Sequence, residues 1–306
     1  MSLSKKIKKY VLHPLNISKY FSVRKMKGNY GKKLSDEEYI AKMFKLKLGY
    51  DIDLSNPKTF NEKLNYLKLN YRKPILTKMV DKHEAKRIVS DIVGEQFVVK
   101  EYGLFDKADD IEFDILPNEF VLKTTHFSGG VIICKDKEKF DSKAATEKLN
   151  KLLKQNYYYN CREWPYKDIE PKVIVEKYIT DGINDVLPVY KFFCFDGKPV
   201  LLQAIKNDKQ KTETIDYFDM DWNMLELRQN YPNSDTPLNK PINFEEMKEI
   251  AERLSKGFPF IRVDLYSVNG KTLFSEFTFF SDAGFERFYP EEWDEKLGAM
   301  IKISDK

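Results

Sequence analysis

Phe260-Ile261-Arg262-Val263-Asp264-Leu265-Tyr266 alternates with a period of two. Ile261, Val263 and Leu265 form one apolar face, so Arg262 and Asp264 share the other face of a strand. Asn269-Gly270 follows, a strong hairpin turn signal, and then the partner stretch from Thr272 to Phe280. On that partner Glu276 and Thr278 share a face opposite Phe277 and Phe279. Loop length decides whether the two polar pairs meet. A two-residue turn pairs Val268 with Lys271 and Asp264 with Ser275, which sends Glu276 to the other side. A three-residue loop, Val268-Asn269-Gly270, brings Arg262, Asp264, Glu276 and Thr278 together. An arginine, two carboxylates and a hydroxyl on one sheet face suit Mg²⁺ and phosphate, because hard oxygen ligands match that ion. The competing reading is an ordinary charged pair on a solvated face.

Working outward, Asp196-Gly197 marks a second hairpin between Tyr190–Phe195 and Pro199–Ile205. Further strands are expected at Phe120–Thr125, Val131–Cys134, Lys172–Ile179 and Thr214–Phe218. Helices are expected from Ser35-Asp36-Glu37-Glu38 onward, over Pro57–Leu69, from Asp81 to about Gly94, over Ser142–Gln155 and over Asn243–Lys256. The pattern is α+β with mostly antiparallel sheets. Four regions are expected: a basic N-terminal arm (1–35), a helical region (36–80), and two α+β subdomains (81–178 and 179–306).

Composition narrows the function classes. Hydrophobic residues make up 42% and charged residues 33% of the 306, enough for a packed core and unlike a disordered chain. Cys134, Cys161 and Cys194 form no C-x-x-C pair, and His13, His83 and His126 are scattered, which argues against a disulfide scaffold or a zinc centre. No apolar run reaches spanning length and no secretory signal is read, so a cytoplasmic protein is expected. Residues 1–35 hold ten Lys or Arg and no acid. Removing them from the net charge of +4 leaves the other 271 residues at −6. A basic arm on an acidic body argues against a nucleic-acid binder. Leu3, Ile7, Tyr10 and Val11 lie at helical spacing among the lysines, a profile that fits peripheral contact with an anionic membrane or a solvated arm.

Two more stretches bear on chemistry. Lys123 stands on a strand before His126-Phe127-Ser128-Gly129-Gly130, and a lysine beside a small Gly loop can neutralise and cover phosphate. No G-x-x-x-x-G-K-[ST] loop occurs, so this is not a Walker A site. Val173-Ile174-Val175-Glu176-Lys177-Tyr178-Ile179 is an apolar strand ending in a charged pair, able to present backbone groups to a base edge.

The order of these elements is what resembles ATP-grasp enzymes: Asp81-Lys82, Lys123 with its loop, Glu176-Lys177, Arg262-x-Asp264, Glu276-x-Thr278. Thr59-Phe60-Asn61-Glu62-Lys63, Arg162-Glu163-Trp164-Pro165-Tyr166, Tyr190-Lys191-Phe192-Phe193-Cys194-Phe195-Asp196-Gly197 and Glu276-Phe277-Thr278-Phe279-Phe280 sharpen it. Over roughly residues 40 to 300 the chain resembles the TupA-type ATP-grasp family, linked to teichuronopeptide and other cell-envelope polysaccharide synthesis. The resemblance implies an ATP-grasp-like fold, two subdomains clamping a nucleotide, with ATP and Mg²⁺ as cofactors. It assigns Lys82, Lys123 and Lys191 to ATP, Ser128, Gly129 and Gly130 to a mobile loop, and Glu176, Lys177 and Tyr178 to the adenine hinge. Asp264, Glu276 and Thr278 become metal ligands, and Arg262, with Lys123, faces the transferred phosphoryl group. Thr278 stands where the family pattern has Asn. Val189 stands where an acidic residue is usual, which leaves ribose binding to Asp185 or another residue.

The activity this implies is carboxylate–amine ligation. A free carboxylate resists attack by an amine because its oxygen leaves poorly; γ-phosphoryl transfer makes an acyl phosphate that an amine displaces. Such a step needs positive charge and exclusion of water rather than a protein nucleophile. The expected substrates are a uronic acid or amino acid of an envelope glycan and an amine. Three rival readings fit the same sequence: an ATP-grasp kinase, a glycan-binding protein, and a glycosyltransferase using the D-x-D triplet Asp219-Met220-Asp221, which Asp51-Ile52-Asp53 also matches.

Overall fold

The computed structural model of the chain describes residues 14–184 and 186–303. Two wholly antiparallel sheets organise it, as the texture of the sequence leads one to expect. The smaller contains β1 (Glu101–Phe105), β2 (Phe120–Thr124), β3 (Ile132–Cys134) and β4 (Val173–Lys177) in the order β1-β4-β2-β3. The larger contains β5 (Val189–Phe195), β6 (Lys198–Lys206), β7 (Thr214–Asp219), β8 (Phe260–Val268) and β9 (Lys271–Thr278) in the order β7-β6-β5-β8-β9.

The helices begin where side chains cap them. Helix α1 is Pro14–Met26. Ser35 and Glu38 form a reciprocal capping box that opens α2 (Asp36–Leu48). Thr59 and Glu62 do the same for α3 (Phe60–Asn70), which therefore starts three residues after the expected Pro57. A short α4 (Ile75–Val80), not expected from the sequence, leads into α5 (Lys82–Val93). The Asp81 carboxylate accepts from the amides of His83 and Glu84 at the head of α5. Then come α6 (Ser142–Leu153), α7 (Phe244–Ser255) and α8 (Glu292–Met300). None of the described helices is long and apolar enough to cross a membrane. The proposed amphipathic positions Leu3, Ile7, Tyr10 and Val11 lie outside the described residues, as does Asp185.

Both faces of the larger sheet are covered. On one, Phe192 stacks on Phe244 of α7 at 6.0 Å. On the other, Phe60 of α3 meets Phe193 at 6.2 Å and Phe260 edge-on at 4.9 Å. Strand alternation places Lys191, Arg262 and Asp264 on this second face, beyond the cover that α3 provides. Helix α6 packs Ala145 and Leu149 on Phe120, Leu122, Val173 and Val175 of the smaller sheet. That leaves the opposite face, with Lys123 and Glu176, turned toward the larger sheet.

The β8–β9 hairpin resolves the register question in a way neither alternative foresaw. The turn is the two-residue one, Val268 pairing with Lys271 and Leu265 with Phe274. A bulge then intervenes, after which Asp264 pairs with Glu276 and Arg262 with Thr278. Ser275 is the extra residue. It shifts the phase of β9 by one, so the four polar side chains share a face despite the short turn.

Candidate functional site

Two adjoining cavities lie against the larger sheet; the smaller sheet walls the first, and α2 with the 157–166 segment walls the second. The first is mainly apolar, with Val99, Val121, Ile133, Leu187, Val189 and Phe274 in its walls. Lys86, Lys123, Glu176, Lys177, Tyr178 and Asp208 supply its polar groups. The second is strongly charged: Ser128, Tyr157, Glu163, Lys191, Lys209, Arg262, Glu276, Thr278 and Asp282 line it. Strands β5 and β9 carry one wall from cavity to cavity, with Val189 and Ser275 in the first and Lys191 and Glu276 in the second.

Glu176 organises the first cavity. It is only 4% exposed and lies across β1 from Glu101 and beside Val121 of β2. Lys123 is two residues on from Val121, a diagonal neighbour on the same face. Its Nζ lies 2.5 Å from Glu176 Oε2, and Lys86 Nζ lies 2.5 Å from Oε1. Lys86 also approaches Glu101 at 3.2 Å, and His83 Nδ1 approaches the same carboxylate at 2.7 Å. Burial would raise the Glu176 carboxyl, but the two lysines outweigh it and hold it at about 2. Burial would lower the Lys123 ammonium, yet Glu176 prevails and keeps it above its ordinary value. Lys123 still exposes 25% of its side chain toward the cavity. The Glu176 carboxylate is thus engaged by two lysines, and Lys177 and Tyr178 continue the cavity wall beyond it.

The second cavity is built on the bulged hairpin. Arg262 grips Asp264 in a fork, Nε to Oδ1 at 2.7 Å and Nη2 to Oδ2 at 2.8 Å. Its Nη1 donates to Ser281 Oγ and its Nη2 to Thr278 Oγ1, both at 3.1 Å. Burial works against the Arg262 charge, but Asp264 outweighs it and keeps the guanidinium firmly protonated. Asp264 lies beneath, 1% exposed, with Lys191 Nζ at 3.8 Å. Glu276 projects beside them, 38% exposed, with its Oε1 3.9 Å from Arg262. Burial would raise the Glu276 carboxyl; Lys82, Lys191, Lys209 and Arg262 together prevail and hold it below the ordinary range. An ionised carboxylate, a hydroxyl and a second carboxylate across the pair are hard oxygen donors. They suit Mg²⁺, which takes one or two carboxylates and completes its shell with water and phosphate oxygens. Among the described residues no cluster of three or more His, Cys, Asp or Glu side chains forms a fuller cage.

The loop after β2 joins the cavities from above. Lys82 Nζ donates to the Phe127 carbonyl at 2.7 Å, and its amide donates to the Thr125 carbonyl at 3.1 Å. Burial lowers the Lys82 ammonium, with Glu276 opposing. Gly129 and Gly130 have φ of +100° and +72°, and a Cβ on Gly130 would meet Leu152 at 2.4 Å. Ser128 reaches the second cavity. Lys82, Gly129, Gly130 and Asp264 line neither cavity; Lys82 ties down the loop, and Asp264 holds Arg262, which does line the second. His126 is buried, its Nε2 donating to the Gln155 carbonyl at 3.0 Å, a structural tie.

Several residues of the site escaped the sequence reading. Lys86 and Glu101 were missed, although Lys86 is one helical turn from Lys82. Glu163 and Tyr157 reach the second cavity because Arg162 anchors their segment. That guanidinium is buried, donates to the Gly31 and Leu34 carbonyls at 2.7 and 2.9 Å, and lies 4.8 Å from the centre of the Tyr39 ring. Burial pushes the Glu163 carboxyl up to about 7, opposed chiefly by Lys68. The D-x-D triplet, by contrast, is a turn. Asp219 Oδ1 accepts from the amides of Asp221 and Asn223 at 2.9 and 2.8 Å, and Oδ2 accepts from the Asn223 side chain at 2.9 Å.

Among solved structures, the chain is similar to a D-alanine–D-alanine ligase from Bacillus anthracis complexed with ATP. Identity is 18%, coverage 67% of this chain and 56% of that one, and the TM-score 0.40. An L-amino acid ligase from Bacillus licheniformis gives 11% identity, 80% and 56% coverage and a TM-score of 0.47. A D-alanine–D-alanine ligase from Helicobacter pylori gives 13%, 81% and 68%, and 0.43. The chain spans little more than half the length of the first of these structures. No curated protein matches it. The model of one family, described as TupA-like ATPgrasp, matches residues 62–302, which include both cavities' strands, the Gly loop and the Arg262–Asp264 hairpin. The chain belongs to the TupA-like ATP-grasp family.

Proposed function

We propose that the protein is an ATP-dependent ligase that activates a carboxylate as its acyl phosphate and passes the acyl group to an amine. The observation that carries this reading is the pair of adjoining cavities, one apolar and one charged, sharing the walls formed by β5 and β9. Adenine fits the first, against the Lys177–Tyr178 backbone, with Lys123 placed for the phosphates. Residues 81–178 then act as the smaller, loop-bearing subdomain and residues 179–306 as the larger. Residues 36–80 brace the larger one through α3, and the basic segment 1–35 leads into them.

At the second cavity Glu276 and Thr278 would hold Mg²⁺, with Asp264 behind them beneath Arg262; the ion would supply charge neutralisation when bound. Arg262, fixed by four hydrogen bonds, presents a charge that needs no reorganisation as the phosphoryl group moves. Lys191 adds a second cation, and the Ser128–Gly130 loop closes over the top to exclude water. The acceptors we favour are a uronic acid or amino acid and an amine, in cell-envelope polysaccharide synthesis in the cytoplasm. The glycosyltransferase alternative loses its support, because the Asp219 carboxylate is committed to its own turn.

The reading is tested by ADP release across a panel of D-glucuronate, D-galacturonate and L-glutamate with amine partners. ADP release that needs both a carboxylate and an amine supports ligation. In Glu276→Gln, turnover should fall about 10²–10³-fold with the fold intact by circular dichroism. Full turnover in that variant would remove the metal assignment, and ADP release that ignores the carboxylate would remove the ligase.

A further inference from the structure

Among the described residues, the buried carboxylates are nearly all spoken for. Glu62 caps α3, Asp81 caps α5, Asp216 accepts from the Ser234 amide, Glu176 binds two lysines and Asp264 binds Arg262. Glu163 is just as buried, 7% exposed, yet its carboxylate has neither a hydrogen bond nor an ion pair, and it lines the charged cavity. A largely buried carboxylate with no protein partner, open to a cavity, is set to take its partner from that cavity.

Its surroundings define that partner. Lys68 on α3 lies behind it, fully buried, and donates to Asn65 Oδ1 at 3.0 Å, the Cys161 carbonyl at 3.2 Å and the Ala283 carbonyl at 2.5 Å. All three ammonium hydrogens are spent, so Lys68 acts on Glu163 only at a distance. Arg262 on β8 is committed to Asp264, Ser281 and Thr278. Glu276 on β9 and Asp282 beyond it bear on Glu163 as like charges. Tyr157 and Tyr166, from its own segment, complete the wall. Of the other cations in this cavity, Lys47, Lys191 and Lys209 pair with Glu286, Asp264 and Asp208, and Lys27 makes no ion pair with Glu163, so a cationic donor is the group this carboxylate lacks. We propose that Glu163 receives the ammonium of the incoming amine and removes its proton, so that the free amine attacks the acyl phosphate.

This rests on the ligase reading above and adds the acid–base step it needs, because an ammonium has no lone pair. A proton passes from R′–NH₃⁺ to the Glu163 carboxylate. The freed nitrogen pair forms the C–N bond, the C–O bond to phosphate breaks, and the second nitrogen proton leaves with the phosphate as HPO₄²⁻. Glu163 then returns its proton to water when the product leaves. A carboxyl already pushed up to about 7 takes the proton far more readily than an ordinary one.

Hydroxylamine separates the two readings, because it is largely uncharged at neutral pH and needs no base. With the carboxylate panel at pH 7, wild type should form both the hydroxamate and, with methylamine or L-alanine, the amide. Glu163→Gln should keep hydroxamate formation within about threefold while amide formation falls about 10²-fold or more. Its amide rate should recover as pH rises toward the pKa of the amine. Equal loss of both products in folded Glu163→Gln, or retention of both, overturns the assignment. Absence of both products in wild type overturns the ligase reading and this inference with it. Wild type alone gives a further test should the variant fail to fold. Its amide rate should stay level from about pH 7 up to the amine pKa and fall below 7; a tenfold rise per pH unit across that range contradicts a base.

Discussion

Two buried ion pairs sit one on each sheet, and they are built differently. On the smaller sheet Glu176 is shared by Lys123 and Lys86, so either lysine can turn toward a ligand while the other keeps the carboxylate satisfied. On the larger sheet Asp264 depends on a single arginine, with Lys191 only at 3.8 Å, and that arginine is committed in turn to Ser281 and Thr278. The first arrangement yields a cation free to respond; the second yields one held in place. In the proposed ligase the first would capture phosphate and the second would stay fixed while charge moves.

The sharpest way to break this comparison is to remove one cation from each pair. Arg262→Met leaves Asp264 buried and almost alone, and should destabilise the protein by about 3–5 kcal/mol in urea unfolding. Equal stability to wild type would mean that the pair is not what holds the hairpin. The next effect concerns acid. The Glu176 carboxyl is held at about 2 against an ordinary 4.5, so its contribution is complete above pH 4.5 and is lost as pH falls toward 2. That contribution is on the order of 3 kcal/mol. Unfolding measured between pH 6 and 2.5 should show this limb in wild type and not in Glu176→Gln. The smallest effect is at Lys123: Lys123→Ala leaves Glu176 paired with Lys86, so it should cost about 1–2 kcal/mol, clearly less than Arg262→Met. A loss as large as that for Arg262→Met would erase the distinction between the pairs.

Much of this was legible in the chain. Alternation alone put Arg262 and Asp264 on one face of β8, and capping chemistry placed the starts of α2 and α5. The bulge was legible too, had the apolar phase of β9 been followed. Phe274 and Phe277 pack on one face, ring centres 4.6 Å apart, although they are three residues apart in the chain, which a regular strand forbids and one extra residue, Ser275, permits. What stayed hidden depends on distant packing. Nothing local to Glu163 says that it faces a cavity, because Arg162 docks its segment on Gly31 and Leu34, some 130 residues earlier. The role of Glu176 was likewise set by Lys86, whose reach to β4 follows from how α5 packs Ala85 and Val89 into the core of the larger sheet.

The central claim is that the cleft between the sheets binds ATP with Mg²⁺ and that Lys123 contributes from the smaller one. Isothermal titration of ATP·Mg²⁺ into wild type and Lys123→Ala tests it most directly. The expected result is one-to-one binding in the micromolar range by wild type, weakened about tenfold or more in the variant, as loss of a charge-assisted contact to phosphate requires. Identical affinity in the two proteins, or no binding by wild type, would contradict it.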